Sequence, residues 1–190
     1  MKKIVAIIAG GDSSEHDVSM RSAQGINSWI DREKFDVYII EIKGQVWEAH
    51  LDGGVNAPVN RHDFSFEVGG VKVRPDFAYI TIHGTPGENG ILQGYFELLG
   101  IPYSTSNILV EAMTVNKFVL NQYLKGFGVR VAESMLLRAG QTVSDEDVVS
   151  RVGLPCFIKP NEGGSRFGVT KCKTAADIQP AIEAAFKESS

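Results

Sequence analysis

From residue 3 the chain alternates between short, wholly apolar runs and longer stretches in which apolar residues recur every three or four positions. Lys3 to Ala9 is a continuous β-rich run, which suits a central parallel strand covered on both faces. Gly10-Gly11 break it. Ser14-Glu15-His16-Asp17 fits a capping box, and Val18, Ser22, Ile26, Trp29 and Ile30 follow at helical spacing, so a helix is predicted from Glu15 to Ile30. Phe35 to Ile42 then completes a βαβ crossover, expected to be right-handed. Glycine pairs at 53–54 and 69–70, with alternation in Phe64-Ser65-Phe66 and Val71-Lys72-Val73, predict small antiparallel hairpins over 44–75. No chemistry is expected there, and His50 and His62 read as exposed. Phe77 to Ile82 is the next buried strand and runs into the loop His83 to Gly90. Asn89 reads as the N-cap of a helix carrying Ile91, Leu92, Tyr95, Phe96 and Leu99, stopped by Gly100. Ile101-Pro102-Tyr103 begins a short strand, and Ser104 to Met113 is a short helical region.

After Met113 the pattern changes. Thr114 reads as an N-cap for a helix reaching Gly126, Val131 to Leu137 as a strand, and Ser144 as the cap of a helix ending near Val152. Leu154 to Ile158 and Val169 to Cys172 are strand-like and flank a glycine-rich tip. Thr174-Ala175-Ala176-Asp177 is another capping box, followed by Ile178, Ala181, Ile182, Ala185 and Phe186 on one face. Pro180 is expected to kink that helix or shift its start. The expected division is 1–113 and 114–190, within the bounds set by 190 residues at about 150 per domain.

Composition excludes more than it selects. At 43% hydrophobic and 22% charged, the chain is an ordinary globular one. A formal charge of −4 gives no basic footprint for nucleic acid or for an anionic membrane, so any phosphate site must be local. The apolar runs are too short to span a bilayer and the start lacks a signal-peptide cleavage pattern, which makes the cytoplasm the expected setting. Cys156 and Cys172 lack metal-ligand spacing and read as buried, reduced thiols.

Candidate chemistry concentrates in the loops. In an open α/β sheet, ligands sit outside the carboxyl ends of the strands, where both Gly10 to Asp17 and His83 to Gly90 fall. The first turn is not the G-x-G-x-x-G fingerprint, which disfavours a dinucleotide. In Ile158 to Val169, Lys159 follows a buried run, Pro160 ends it, and Gly163, Gly164 and Gly168 allow backbone amides to gather around an anion. A plain hairpin with no ligand fits the same residues, and both readings stand. Lys117, in the first turn of its helix, opposes the helix dipole unless an anion lies between helix end and ammonium. A solvated surface lysine is the other reading.

The ordered set is more specific than its parts. Gly10-Gly11-x-Ser13-x-Glu15-x-x-Val18-Ser19, then His83-Gly84-x-x-Gly87-Glu88-x-Gly90-x-x-Gln93-Gly94, Pro102-Tyr103, Met113-x-x-x-Lys117, and Lys159-Pro160 with Gly164-Ser165-x-x-Gly168, closely resembles the D-alanine–D-alanine ligases of the ATP-grasp superfamily. The resemblance runs the whole length. It implies an α/β protein: a Rossmann-like, parallel-sheet N-terminal domain followed by the first α+β lobe of a truncated ATP-grasp fold. It also implies ATP-dependent joining of two D-alanines through an acyl phosphate, for peptidoglycan synthesis. Glu15 would bind the ammonium of the first D-alanine and His83 would lie beside the substrates. Lys117, Lys159 and Gly164 would hold ATP phosphates. Ser165 would do so too, and would tie the glycine-rich loop to Glu15. Arg166 stands where similar enzymes carry a second serine, and Asn89 where they carry an aspartate. The adenine-binding hinge and the ligands for Mg²⁺ are expected beyond residue 190, so this chain is expected to be a fragment inactive by itself. A D-alanine–D-lactate ligase and a non-catalytic amino-acid or nucleotide-binding module are the alternatives. A homodimer through the N-terminal half is a further expectation from the resemblance.

Overall fold

The computed structural model describes residues 2–162 and 168–188, and the chain folds as two compact units, Met1–Ala112 and Met113–Ser190. In the first, strand β1 (Lys3–Gly10) leads into helix α1 (His16–Trp29), β2 (Phe35–Lys43), β3 (Val46–His50) and β4 (Asn56–Pro58). A separate hairpin, β5 (Phe66–Val68) and β6 (Val71–Val73), precedes β7 (Phe77–Ile80) and α2 (Ile91–Leu99). The main sheet has the order β4-β3-β2-β1-β7, with β1 parallel to both β2 and β7 and the β3 and β4 edge antiparallel.

The unbroken apolar run of β1 is explained by this central place. Val5, Ile7 and Ala9 pack with Ala23 of α1 on one face, while Ala6 and Ile8 join Phe64, Phe96 and Ile80 on the other. That second face is closed by aromatic rings from the 44–75 segment and from α2, with Phe64 and Phe96 centroids 5.0 Å apart and Trp47 against Tyr95 at 5.2 Å. Phe64 is wholly buried although its φ is +59°, a left-handed conformation that its packing must hold in place.

The second unit carries α4 (Lys117–Gly126), α5 (Asp145–Val152), the hairpin β8 (Cys156–Ile158) and β9 (Thr170–Cys172), and α6 (Ile178–Glu188); the division falls within α3 (Ile108–Val115). Its core is small: Val148, Cys156, Cys172, Ile178 and Ala181. Cys156 and Cys172 face each other across the hairpin as free, buried thiols, and burial pushes the Cys172 thiol up from its ordinary value.

Several local expectations are corrected. The cap of α1 is Glu15, with no side-chain cap bond, because Ser13 rather than Ser14 meets its backbone. The buried face of α1 runs through Ser19 and Ala23, leaving Trp29 82% exposed. The N-cap of α2 is Gly90 in the left-handed region, while Asn89 accepts from the Ile91 N–H and donates to Thr85. Asn116, not Thr114, caps α4 by accepting from the Val119 N–H. Residues 131–137 form no strand, since no strand pairs with them among the described residues. Tyr103 makes a single bridge to Ala78 instead of starting a strand. His50 is only part-exposed, bonded to Glu41. Thr174 does form its capping box, and α6 begins at Ile178, so Pro180 sits in its first turn where no intrahelical N–H is required.

Candidate active site

At the carboxyl ends of β1 and β7, two loops are fastened to each other and to the sheet. The Gly11 N–H donates to the Ile42 carbonyl (2.7 Å), and the Asp12 N–H donates to the Thr85 carbonyl (2.9 Å). Asp12 Oδ1 accepts from the Gly44 N–H (2.6 Å). Ser13 Oγ donates to the His83 carbonyl (2.8 Å) and accepts from the Glu15 N–H (3.2 Å). Gly11 is required by this closeness: at φ +94°, a Cβ there would lie 2.5 Å from Ile82 Cγ2. Below the loops, Ser19 Oγ accepts from the Gly10 N–H (3.0 Å), which explains a fully buried serine on an otherwise apolar helix face.

Glu15 is 3% exposed, at the start of α1 where the helix dipole favours a negative charge. His83 is half-buried, on the first residues of the second loop. In that loop Glu88 Oε2 accepts from the Gly84 N–H (2.7 Å), and buried Gln93 donates to the Gly87 carbonyl (2.7 Å) and to Thr105 (2.8 Å). A groove of about 640 Å³ runs beside it, lined among others by Thr81, His83, Glu88, Ser104 and Glu111. Burial raises the Glu111 carboxyl above its usual range, opposed by a hydrogen bond from the Ser106 N–H and reinforced by Glu88. The groove is of mixed character, with Ile26, Tyr79, Ile80 and Ile82 beside the polar groups, and its two carboxyl groups are Glu88 and Glu111.

In the second unit, the start of α4 and the base of the glycine-rich hairpin are joined by Asn161. Its carbonyl accepts from the Lys117 N–H (3.0 Å) and from Lys117 Nζ (3.4 Å), and its Oδ1 accepts from the Phe118 N–H (3.0 Å). Asn116 adds the Val119 bond and donates to Glu162 (3.1 Å). The first amides of α4 are therefore taken by protein oxygens. An anion meeting Lys117 would meet its ammonium, not the bare helix end suggested by sequence. Lys159, two residues before Asn161, is exposed on the strand end. Gly164, Ser165 and Arg166 lie outside the described residues.

The structure thus brings Glu15 and His83 onto adjoining loops of one unit, and Lys117 and Lys159 to either side of Asn161 in the other. Sequence reasoning gave Asp12, Ser13, Ser19 and Asn161 no structural role. Ser13 and Ser19 carried a signal, as fixed places in the motif that runs from Gly10 to Ser19; Asp12 and Asn161 carried none, because each is defined by a partner distant in sequence.

A β-α-β sheet with glycine-bearing loops at its carboxyl ends, followed in sequence by a lobe presenting lysines from a helix start and a hairpin, is an arrangement that the chain shares with solved ligases of the ATP-grasp fold. D-alanyl-alanine synthetase A of Vibrio cholerae superposes on 98% of this chain with a TM-score of 0.83 at 28% identity, the match covering 56% of that protein. The chain belongs to the D-alanine–D-alanine ligase family: the family model described as D-ala D-ala ligase N-terminus matches residues 4–106, and that for the C-terminus matches 123–190. The D-alanine–D-alanine ligase of Phocaeicola vulgatus is 66% identical over 189 residues, covering 100% of this chain and 58% of that protein. The VanG D-Ala:D-Ser ligase of Enterococcus faecalis is 29% identical with a TM-score of 0.78, over 99% of this chain and 60% of that one. The chain spans less than two thirds of the length of these relatives.

Proposed function

We propose that the chain forms the amino-acid-binding domain and first ATP-binding lobe of an enzyme joining two D-alanines at the expense of ATP. The observation that carries this is Glu15, a buried carboxylate at a helix start between two interlocked loops. A carboxylate so placed suits an ammonium group, and burial strengthens the pairing. In this reading the first D-alanine is held through its ammonium at Glu15 with His83 beside it. Its carboxylate takes the γ-phosphoryl group of ATP, and the amine of the second D-alanine displaces phosphate from the acyl phosphate to form the dipeptide. Lys117 and Lys159 act as compact positive charges on the phosphates, positioning and neutralising rather than bonding covalently. Gly164 and Ser165 complete the phosphate loop in the same reading. Among the described residues no group of three or more His, Cys, Asp and Glu side chains could hold a metal ion, so no step is assigned to Mg²⁺. Among them, too, no helix is long and apolar enough to cross a membrane. A cytoplasmic setting, where ATP is supplied, fits the proposed reaction.

D-Alanine is proposed as both substrates because relatives 63–66% identical are named D-alanine–D-alanine ligases. The test is D-alanine-dependent phosphate release by the intact enzyme, with D-serine and D-lactate as competing second substrates. Lys159→Ala is expected to lower kcat/KM for ATP roughly 100-fold, the loss of a charge-assisted contact. An unchanged value would remove Lys159 from the phosphate site, and a preference for D-serine or D-lactate would overturn the second substrate.

A further inference from the structure

A row of three side chains links β3 to the start of α1 and has no part in the proposed reaction. His50 of β3 places Nε2 2.8 Å from Oε2 of Glu41 on β2, and the other oxygen, Oε1, lies 3.2 Å from Nε2 of His16, the first residue of α1. The His16 contact is within ion-pair range but off the line of a hydrogen bond, and its Nε2 is buried without a hydrogen-bond partner among the described residues. Its Nδ1 lies 3.4 Å from the exposed carboxylate of Asp17.

The fold makes room for this imidazole. A Cβ on Gly10, at φ +95°, would lie 2.5 Å from the Ile42 carbonyl and 3.2 Å from His16 Nε2. The arrangement is also unfavourable by itself. Glu41 stands directly opposite Glu48 across the β2–β3 pair, and like charges so placed destabilise a sheet. An apolar residue at 16 would avoid burying a polar nitrogen, and one at 41 would avoid the like-charge pair. What the row does accomplish is to tie the first helical residue to two strands, one residue after Glu15. That neighbour is buried between the two loops, with its backbone N–H anchored on Ser13.

We infer that His50, Glu41 and His16 are positioning residues for Glu15: His50 fixes the Glu41 carboxylate, Glu41 holds His16, and His16 sets the first turn of α1 from which Glu15 meets the amino acid. The inference rests on the reading of Glu15 as the ammonium partner. Glu41 acts through His16, and His50 through Glu41 and His16, two and three steps from Glu15.

The experiment is steady-state kinetics on His50→Ala and Glu41→Gln in the intact enzyme, with Tm measured alongside. His50→Ala is expected to raise KM for the first D-alanine about fivefold, the effect of one lost hydrogen bond, and Glu41→Gln, which removes the charge facing both imidazoles, to raise it in the same direction, with kcat and KM for ATP within about twofold of the parent. His50→Gln, whose amide N–H can replace Nε2–H, is expected to restore KM. Glu15→Gln is the control, and adding His50→Ala to it is expected to raise KM no further, because the histidine acts through the glutamate. Unchanged KM for D-alanine in both variants, a lowered Tm without a KM change, or equal changes in all three parameters would overturn the inference. If His50→Ala does not fold, Glu41→Gln decides by the same readouts. If Glu15→Gln leaves KM for D-alanine unchanged, the reading of Glu15 itself fails. A normal Glu15 effect with silent His50 and Glu41 variants defeats the positioning role alone.

Discussion

In the first unit the residues proposed to meet the amino acid stand on a sheet whose central strand is buried on both faces, whereas in the second the proposed phosphate lysines flank a single asparagine. Glu15 is 3% exposed and its loop is bonded to β2, to the β2–β3 turn and to the 83–90 loop. Lys159 is exposed on the end of a three-residue strand, and Lys117 is tied by Asn161. The difference matches the two tasks. Discriminating a small amino acid requires a fixed carboxylate in a dry place, whereas gripping a polyphosphate requires charges that can follow it.

The largest test of this contrast lies under the sheet. Phe64→Ala removes the centre of the aromatic cluster and is expected to cost about 3–5 kcal/mol in urea unfolding, since a buried ring leaves a cavity. A loss well under that would mean the first unit is not held by its core. Next comes Asn161→Ala, expected to cost only about 1 kcal/mol as the loss of the hydrogen bond its side chain accepts from the Phe118 N–H. Faster hydrogen exchange at the Phe118 amide and a raised KM for ATP, with KM for D-alanine unchanged, would sharpen the contrast; slowed exchange would break it. The smallest effect is at Asp63, whose carboxyl is lowered from 3.8 to about 2, first by the hydrogen bond from Lys72 and then by that from Ser65. A lowered acid contributes stability above its unfolded pKa and loses it as pH falls through the folded one, so the loss lies between about pH 4 and 2. Asp63→Asn is expected to flatten acid unfolding in that window, modestly because the group is part-exposed and screened by solvent. A curve unchanged by the substitution would show that the corner carrying Phe64 does not depend on this charge.

What the sequence determined by itself follows from local physics. The run Lys3 to Ala9 can only be a strand covered on both faces, and Ser144 and Thr174 cap their helices through residues three positions away, whereas Gly10, expected to break the strand, is its last residue. The ordered loop motifs carried the family, because each loop's residues lie together in the chain. Tertiary structure alone decided the rest. Whether Thr114 or Asn116 caps α4, which face of α1 is buried, and whether 131–137 becomes a strand depend on partners that local sequence does not name. The same holds for what ties Lys117 and His16. Asn161 lies 44 residues from Lys117 in the chain, while Glu41 and His50 come from strands beyond a crossover and a turn. A hydrogen bond between distant segments leaves no periodicity in either, so only the fold could bring these groups into view.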